Sequence, residues 1–395
     1  MNNSLVSILL PVVNLDKNNN ALELLPRTIE SLLLQHYTNV EFLILDNKSS
    51  KVATEICSKY SAEDTRIEYV HDTEIGGQCE ALSYLSTTVK GEYSLCASAG
   101  NLYQPNFVES LLGIMEKEAP IDLLYTNFIQ SETAGATAPQ DLETKPRRYS
   151  GGHCVLSNLC GFMLMRNTVP FRFGLFRTAA FQQLQSVKAF DGIGADIESL
   201  QMVRFFSRGL RCEYVDSPLF SCLQKPAGLR TRLEERLKPP TKFPGLEFPI
   251  QAWLHLVQHE LNFKLAVQTE LELSPDFKAP ELVYAKALLN DSFVLHSLGQ
   301  FDQVKMEIGA EDVKSLGLVQ QLQSFINTRK ILLPKNEEDL APSGYSLLAS
   351  NPAYALLRLQ SSTESLKVLN ELVDYAAKLS EASSDVGDAI RRLCA

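Results

Sequence analysis

Two carboxylates follow apolar runs at places where a ligand could meet them. Asp46 ends the run Glu41–Leu45 and stands directly before the polar turn Asn47-Lys48-Ser49-Ser50. Asp72 follows the shorter run Ile67–Val70 in the same way. If both runs are parallel strands, the two carboxylates lie at the carboxyl edge of a sheet, where α/β folds bind ligands. Each could instead accept a local hydrogen bond within its own turn, so both interpretations stay open.

The elements around these residues alternate between strand and helix. Short apolar runs predict strands, and apolar residues at helical spacing predict helices between them. The predicted strands are Leu5–Val13, Glu41–Leu45, Ile67–Val70 and Tyr93–Ala97, and the predicted helices are Leu25–Gln35, Val52–Tyr60 and Gly77–Thr88. This β-α-β-α-β-α-β order predicts an α/β fold with a mainly parallel, helix-covered sheet.

The character of the chain changes twice farther along. Residues 131–152 are polar, without an apolar period, and predict a long surface loop. A further strand is predicted at Gly209–Leu219, ending at Ser217-Pro218. Prolines and a glycine in residues 233–249 indicate a linker, and almost every later segment has a helical period. We therefore expect an α/β domain over residues 1–232, a linker over 233–249 and an all-α domain over 250–395.

Composition argues against several classes of protein. The chain has 395 residues and a formal net charge of −10 with dispersed acidic groups, which disfavours nucleic acid as a partner. The apolar run from Leu5 is far shorter than the roughly 20 residues that a membrane span needs, and no cleavable signal is visible. The eight cysteines form no CxxC pair and no zinc-type spacing. We expect a cytoplasmic protein with reduced cysteines and no transmembrane segment.

Several motifs in the first 230 residues resemble one family in their order and spacing. They are VSILLPVVN at 6–14, LPRTIESLLLQHYTNVEFLILDNKSS at 25–50, IGGQCEALSYLSTTVKGEY at 75–93, QPNFVESLL at 104–112 and GADIESLQMVRFFSRGLRCEYVDSPL at 194–219. This part of the chain resembles the inverting family 2 glycosyltransferases of the GT-A fold. The resemblance implies a Rossmann-like GT-A domain that transfers a sugar from a nucleotide-sugar donor, UDP-linked, to a hydroxyl acceptor with inversion.

The resemblance also implies roles for individual residues. The carboxylate of Asp46 would bind the uracil or the ribose of the donor, and Asp72 is a second candidate for that contact. The same nucleotide pocket would be lined by Pro11, Val13, Asn14, Asn47 and Gly77.

The metal-binding turn of the resembled family is altered in this chain. Gly91-Glu92-Tyr93 fixes the register and places the family's Asp-x-Asp motif at Ser98-Ala99-Gly100, with Asn101 where a further acid is common. Magnesium and manganese prefer anionic oxygen ligands, and in the resembled enzymes the metal bridges the protein to the donor diphosphate. Because Ser and Asn side chains are neutral and weaker ligands, we expect weak metal binding or none at this turn.

Two accounts of the donor diphosphate stay open. In the first, cations bind it without a metal. The candidate cations are Lys48, Lys51, Arg177, Arg230 and Arg232. In the second, the domain is catalytically silent and acts in binding or scaffolding, with the helical domain recruiting a partner.

Asp196 bears on the choice between these two accounts. It stands where the resembled family places the base that deprotonates the acceptor hydroxyl, and it could equally cap the helix that follows it. A general base has no purpose in an inactive site, so Asp196 favours an enzyme. We therefore predict a hexosyltransferase acting on a glycan, lipid-linked or protein acceptor, with a helical domain that binds a protein partner or forms an oligomer. A nucleotidyltransferase is less favoured, since such enzymes also need the missing acids.

Overall fold

A computed structural model describes residues 3–15, 20–75, 77–117, 121–130, 171–185, 197–222, 248–274, 279–308 and 352–379. The chain divides into two compact units. The first unit holds the described residues up to 222, and the second holds those from 248 onward. The domain boundaries at 232 and 249 stay predictions.

The first unit is built on one mixed sheet. Its described strands are β1 (Val6–Val13), β2 (Val40–Asn47), β3 (Ile67–His71), β4 (Tyr93–Cys96), β5 (Asn101–Tyr103), β6 (Leu123–Gln130), β7 (Leu175–Arg177) and β8 (Cys212–Cys222). They lie in the order β3-β2-β1-β4-β7-β6-β8-β5. The pairs among β3, β2, β1 and β4 are parallel, and β7 joins this half of the sheet antiparallel to β4. The predicted α/β class with a mainly parallel sheet is confirmed.

Helices connect and cover these strands. The described helices of the first unit are α1 (Asn20–Leu33), α2 (Lys51–Glu63), α3 (Gln78–Thr88), α4 (Phe107–Met115), α5 (Thr178–Gln185) and α6 (Ile197–Ser207). Strand β1 is buried along nearly its whole length, as a central parallel strand must be when helices lie on both faces of the sheet.

The helix α1 begins earlier than its sequence pattern indicates. It was predicted over Leu25–Gln35, with Pro26 near its start, but it begins at Asn20 and Pro26 lies inside it. Ala21, Leu22 and Leu25 are buried in the core of the first unit, and this burial holds the first turns of the helix in place. Packing therefore outweighs the hydrogen bond that the proline nitrogen does not make.

The sheet has a switch point beside β1. From β1 the chain proceeds outward through β2 and β3, and it then returns to place β4 on the other side of β1. The ladder between β1 and β4 covers Val6–Leu9, and Pro11 lies beyond it, where a missing backbone N–H breaks no bond to β4. Ligands of open α/β sheets bind at such a point, outside the carboxyl ends of the strands.

The strand β8 runs past the proline at which it was predicted to end. It continues to Cys222, and its register against β6 shifts where Pro218 lies opposite Asn127. A shift of this kind is typical of a β-bulge, where a proline is tolerated inside a sheet. The continuation lets β8 pair with β5, which follows the Ser98–Asn101 turn directly.

The described part of the second unit consists of three long helices. They are α7 (Phe248–Leu273), α8 (Ala279–Ile308) and α9 (Pro352–Leu379), and α8 packs against both of the others. Trp253 is fully buried among them and donates its indole N–H to the carbonyl of Ser297 at 2.8 Å. Within the described residues, no helix has the length and hydropathy that a membrane span requires. The all-α character of the whole unit stays a prediction.

Gly91 precedes β4 and packs directly against the backbone of the first strand. A Cβ atom at this position would lie 2.6 Å from the carbonyl oxygen of Leu5 and 2.8 Å from the backbone nitrogen of Ser7. Because neither backbone atom can move without breaking the sheet, we expect Gly91→Ala to lower the free energy of unfolding by about 2–3 kcal/mol. Chemical denaturation followed by circular dichroism measures this loss.

Gly113 provides the matched control for this substitution. It lies in α4, and a Cβ atom there would meet no atom within 4 Å. Alanine has a higher helix propensity than glycine, so Gly113→Ala should raise stability by up to about 1 kcal/mol. Equal stabilities for the two variants would contradict the close packing assigned to Gly91.

Candidate functional site

The buried carboxylate of Asp46 is the centre of the candidate site. Its side chain is 0% exposed at the carboxyl end of β2. Three donors converge on one of its oxygens, Oδ2: the hydroxyl of Thr54 at 2.8 Å, the phenol of Tyr69 at 3.1 Å and Nδ1 of His71 at 3.1 Å. A carboxylate only accepts hydrogen bonds, so the His71 Nδ1 that faces it carries the proton.

The other oxygen of Asp46 is in the opposite situation. Oδ1 is buried and has no hydrogen-bond partner among the described residues. A buried acceptor without a partner costs about 1–3 kcal/mol, and more when it is charged. A ligand that donates a hydrogen bond to Oδ1 would remove this cost. The position of Oδ1 therefore favours a ligand with an N–H or O–H group.

The charge of Asp46 also acts on its neighbours. Burial raises the pKa of Tyr69 to about 12, and the negative charge of Asp46 adds to this effect. The phenol of Tyr69 therefore keeps its proton and remains a donor to Asp46. Burial likewise raises the pKa of Cys57 to about 12, with Asp46 as the second cause, so its thiol stays protonated and unreactive.

The loops after β1 and β2 are hydrogen-bonded to each other beside Asp46. Asn14 donates its backbone N–H to the carbonyl of Asn47 at 3.0 Å, and Leu15 donates its own to the hydroxyl of Ser49 at 3.2 Å. Both loops turn through a residue in the left-handed region, Asn14 and Lys48, each with φ of 53°. The two loops therefore form one continuous rim at the carboxyl edge.

Most of the predicted nucleotide-binding residues lie at this edge. Pro11 and Val13 are on β1, and Val13 lies opposite Asn47, one residue beyond Asp46. Asn47 is buried, and its side-chain amide donates to the carbonyl of Ile75, which ties the end of β2 to the segment before α3. The structure thus brings Pro11, Val13, Asn14, Asp46 and Asn47 together.

Asp72 and Gly77 flank the same edge with local roles. The backbone N–H of Asp72 donates to the carbonyl of Asp46 at 3.0 Å, and its Oδ1 accepts the backbone N–H of Glu74 at 2.8 Å. The second contact is the local turn bond that an aspartate often makes. Gly77 occupies the N-cap position of α3.

The stretch Ser98–Asn101 forms a tight, mostly buried turn after β4. The backbone N–H of Asn101 donates to the carbonyl of Ser98 at 3.0 Å, and Gly100 has φ of 95°. This combination is that of a type II turn, whose third residue is usually glycine. The N–H of Gly100 also donates to the hydroxyl of Thr28 in α1 at 3.0 Å, so the turn is anchored to the core.

The residues of this turn do not suit a divalent metal. Ser98, Ala99, Gly100 and Asn101 include no carboxylate, and Mg²⁺ or Mn²⁺ needs anionic oxygens to compete with water. Nor do the described residues contain a cluster of three or more His, Cys, Asp or Glu side chains that could hold a metal. The equivalence of this turn with the Asp-x-Asp motif stays a prediction.

Arg177, a candidate for the diphosphate, lies at the opposite edge of the sheet. It pairs with Tyr93, at the amino end of β4, which is about 20 Å along the strands from the level of Asp46. Its guanidinium donates to the carbonyls of Ile121 at 2.9 Å and Met115 at 3.4 Å and stacks over the ring of Tyr93. The structure therefore does not bring Arg177 to the candidate site, because backbone carbonyls hold it elsewhere.

Three other predicted residues lie outside the described residues. They are Asp196, Arg230 and Arg232. The helix α6 begins at Ile197, directly after Asp196.

Sequence reasoning missed the three donors that hold Asp46. Tyr69 and His71 alternate along β3 opposite Ile44 and Asp46, so a strand period places both on one face. Thr54 comes from the first turns of α2. The alternation could have predicted that Tyr69 and His71 lie on the same face of β3. The contact of Thr54 could not have been predicted in this way, because it depends on how α2 packs.

Residues 7–175 match the family model described as glycosyl transferase family 2. Among curated proteins, the glycosyltransferase GlyG of Streptococcus pneumoniae is 28% identical over 130 residues, covering 32% of this chain and 41% of GlyG. The putative colanic acid biosynthesis glycosyl transferase WcaA of Escherichia coli is 27% identical over 180 residues, covering 45% of this chain and 62% of WcaA. This chain therefore spans less than two thirds of either relative.

Among solved structures, residues 1–349 of S. aureus TarS in complex with UDP-GlcNAc superpose with a TM-score of 0.45. The sequence identity is 12%, and the match covers 81% of this chain and 88% of that one. The similarity to glycosyl transferase family 2 is supported by the matches in sequence and not by this structural likeness. Over residues 7–175, the amino-terminal part of this chain is thus similar to glycosyl transferase family 2.

Proposed function

We propose that this chain transfers a sugar from a UDP-linked donor to a hydroxyl acceptor with inversion at the anomeric carbon. The observation that carries the proposal is the Asp46 carboxylate, with one oxygen held by three donors and the other buried without a partner among the described residues. It lies at the carboxyl edge beside the switch point, where a nucleotide is expected. The match of residues 7–175 to glycosyl transferase family 2 supports sugar transfer as the reaction.

The nucleoside would bind against the rim formed by the loops after β1 and β2. Uracil presents its imide N–H and ribose presents its hydroxyls, and each is a donor that Asp46 Oδ1 can accept. Pro11, Val13, Asn14 and Asn47 would line this position, with Asp72 and Gly77 at its margin.

Asp196 would act as the general base. As the acceptor oxygen attacks the anomeric carbon, its proton passes to the Asp196 carboxylate, and the bond from that carbon to the nucleoside diphosphate breaks on the opposite face. This single displacement inverts the configuration. The acceptor class is a glycan, a lipid-linked sugar or a protein hydroxyl, and the helical unit is proposed to bind a protein partner or a second copy of the chain.

Isothermal titration calorimetry tests the proposal on the full chain. The titrants are UDP, UDP-GlcNAc, UDP-glucose and GDP, each measured with Mn²⁺ and again in EDTA. We expect UDP and at least one UDP-sugar to bind with similar affinity in both buffers, because the turn at Ser98–Asn101 has no anionic ligand for a metal.

Other outcomes of this titration would contradict the proposal. Absence of binding by every nucleotide would rule out a nucleotide-sugar enzyme and favour the silent scaffolding module. Binding of GDP alone would contradict the UDP-linked donor. Binding that strictly requires Mn²⁺ would contradict the interpretation of the turn.

A further inference from the structure

Lys48 adopts a backbone conformation that its residue type does not favour. Asn14 and Lys48 are the two non-glycine residues with positive φ in the described part of the chain. Asparagine visits this region readily, because its short polar side chain bonds locally, but lysine has no such reason. Glycine would occupy this position with less strain, so the lysine side chain needs an explanation other than the turn itself.

The position of Lys48 is at the candidate site. It follows Asp46 by two residues at the carboxyl end of β2, and its side chain is exposed. Among the described residues it forms no ion pair, whereas the nearby Lys51 has its amino group 3.6 Å from a carboxylate oxygen of Glu55. Within the described part of the chain, Lys48 is therefore a cation at the rim without a carboxylate that neutralises it.

The phosphates of a nucleotide held at Asp46 would begin their path at the end of β2, two residues from Lys48. The strand β2 and the strand β4 are separated by β1, an interval of about 10 Å at the usual strand spacing. A diphosphate that continues from a nucleoside at Asp46 toward the Ser98–Asn101 turn crosses this interval. The flexible four-carbon stem of lysine lets its amino group follow the phosphates.

The Ser98–Asn101 turn has no group that neutralises the negative charge of the diphosphate. Ser98, Gly100 and Asn101 supply no anionic ligand for a metal, and Arg177 is held by carbonyls at the opposite edge. Transfer of the sugar requires that the negative charge on the departing diphosphate be stabilised. A lysine ammonium can do this directly through charge-assisted hydrogen bonds.

We propose that the amino group of Lys48 binds the diphosphate of the nucleotide donor and supplies the positive charge that the Ser98–Asn101 turn cannot hold as a metal ion. This inference rests on the proposed function, since it requires a nucleotide at Asp46. It accounts for a lysine in a backbone conformation that suits glycine.

Two substitutions on the full chain test the inference. Lys48→Gly removes the amino group and relieves the backbone, so its melting temperature should equal or exceed that of the wild type. Lys48→Met removes the charge but keeps most of the side chain. In EDTA, both variants should bind UDP about tenfold more weakly or worse, because a hydrogen bond to a charged group is lost. Uridine has no phosphates, and its affinity should not change.

Lys59→Met is the matched control. Lys59 is an exposed lysine on α2, two turns beyond the rim, with its amino group 3.9 Å from Glu63. This variant changes the net charge by the same amount and should bind UDP as the wild type does.

The outcomes separate this inference from the proposed function. If wild type, Lys48→Gly and Lys48→Met bind UDP equally well, the role of Lys48 is overturned and the proposed function stands. If Lys48 variants lose uridine and UDP affinity by the same factor, the contact is not to phosphate and the inference is likewise overturned. If the wild type itself does not bind UDP, both fail.

Discussion

The Asp46→Asn variant is expected to bind UDP about 100-fold more weakly than the wild type while keeping the fold. The three donors Thr54, Tyr69 and His71 require an acceptor at the position of Oδ2, so they fix the carbonyl oxygen of the new amide there. The amide NH₂ then occupies the position of Oδ1. This NH₂ would then face the N–H or O–H group of the nucleotide, and two hydrogen-bond donors would repel each other. In the wild type, Oδ1 presents a hydrogen-bond acceptor at this position.

Calorimetry with UDP measures this loss, and thermal melting verifies the fold. The melting temperature should not fall, because the substitution removes a buried negative charge whose Oδ1 has no partner among the described residues. Asp64→Asn is the matched control, since Asp64 pairs with Arg66 at 2.7 Å in the turn between α2 and β3, away from the rim. Wild-type affinity in the Asp46→Asn variant would contradict the assignment of Oδ1 to the nucleotide.

The Asp196→Asn variant is expected to lower kcat about 10²–10⁴-fold, the usual contribution of a positioned general base. Asparagine caps helices about as well as aspartate does, so stability should change little if the residue begins α6. The measurement is release of UDP from a UDP-sugar that the wild type turns over. Affinity for UDP should stay at the wild-type value, because the base contacts the acceptor.

The Asp196→Ala variant separates the base from a cap. Alanine loses both functions, so it should be as inactive as the asparagine variant and also less stable by about 1 kcal/mol. If both variants turn over as the wild type does and only the alanine variant is destabilised, Asp196 is a helix cap and not the base.

The parallel half of the fold could be predicted from sequence because short runs rich in apolar residues end there in polar turns. These runs located β1, β2, β3 and β4 to within one or two residues at each end. The strands β1, β2 and β4 are buried along most of their length, whereas β3 is exposed at Glu68 and His71. The strands β5 and β7 have three residues each, too few for any period to appear. Their positions depend on pairing with distant strands, which the local sequence does not encode.

The candidate site could be predicted only in part. Asp46 was identifiable because it lies at the end of a strongly apolar strand, directly before a polar turn. Its environment was not, since Thr54 and His71 reach it from a helix and a neighbouring strand. The prediction for Arg177 was wrong. Its charge suggested a contact with the ligand, but it pairs with Tyr93 at the amino end of β4 and therefore lies at the opposite edge of the sheet.

The backbone of Lys48 could not have been predicted from sequence either. A lysine in a polar turn carries no sign of a positive φ, and the resemblance placed it only among several candidate cations. Its conformation depends on the hydrogen bonds between the loops after β1 and β2, including that from Asn14 to Asn47. Among the candidate cations that the structure describes, it thus distinguishes Lys48 from Lys51, which pairs with Glu55, and from Arg177, which lies at the opposite edge.

A crystal structure of the full chain with UDP, grown in EDTA, would show whether Asp46 and Lys48 bind the nucleotide. We expect uracil or ribose with a hydrogen-bond donor atom about 3 Å from Asp46 Oδ1 and phosphate oxygens within hydrogen-bond distance of the Lys48 amino group. UDP bound elsewhere, or bound with Oδ1 still without a partner, would contradict the assignment of Asp46 to the nucleotide.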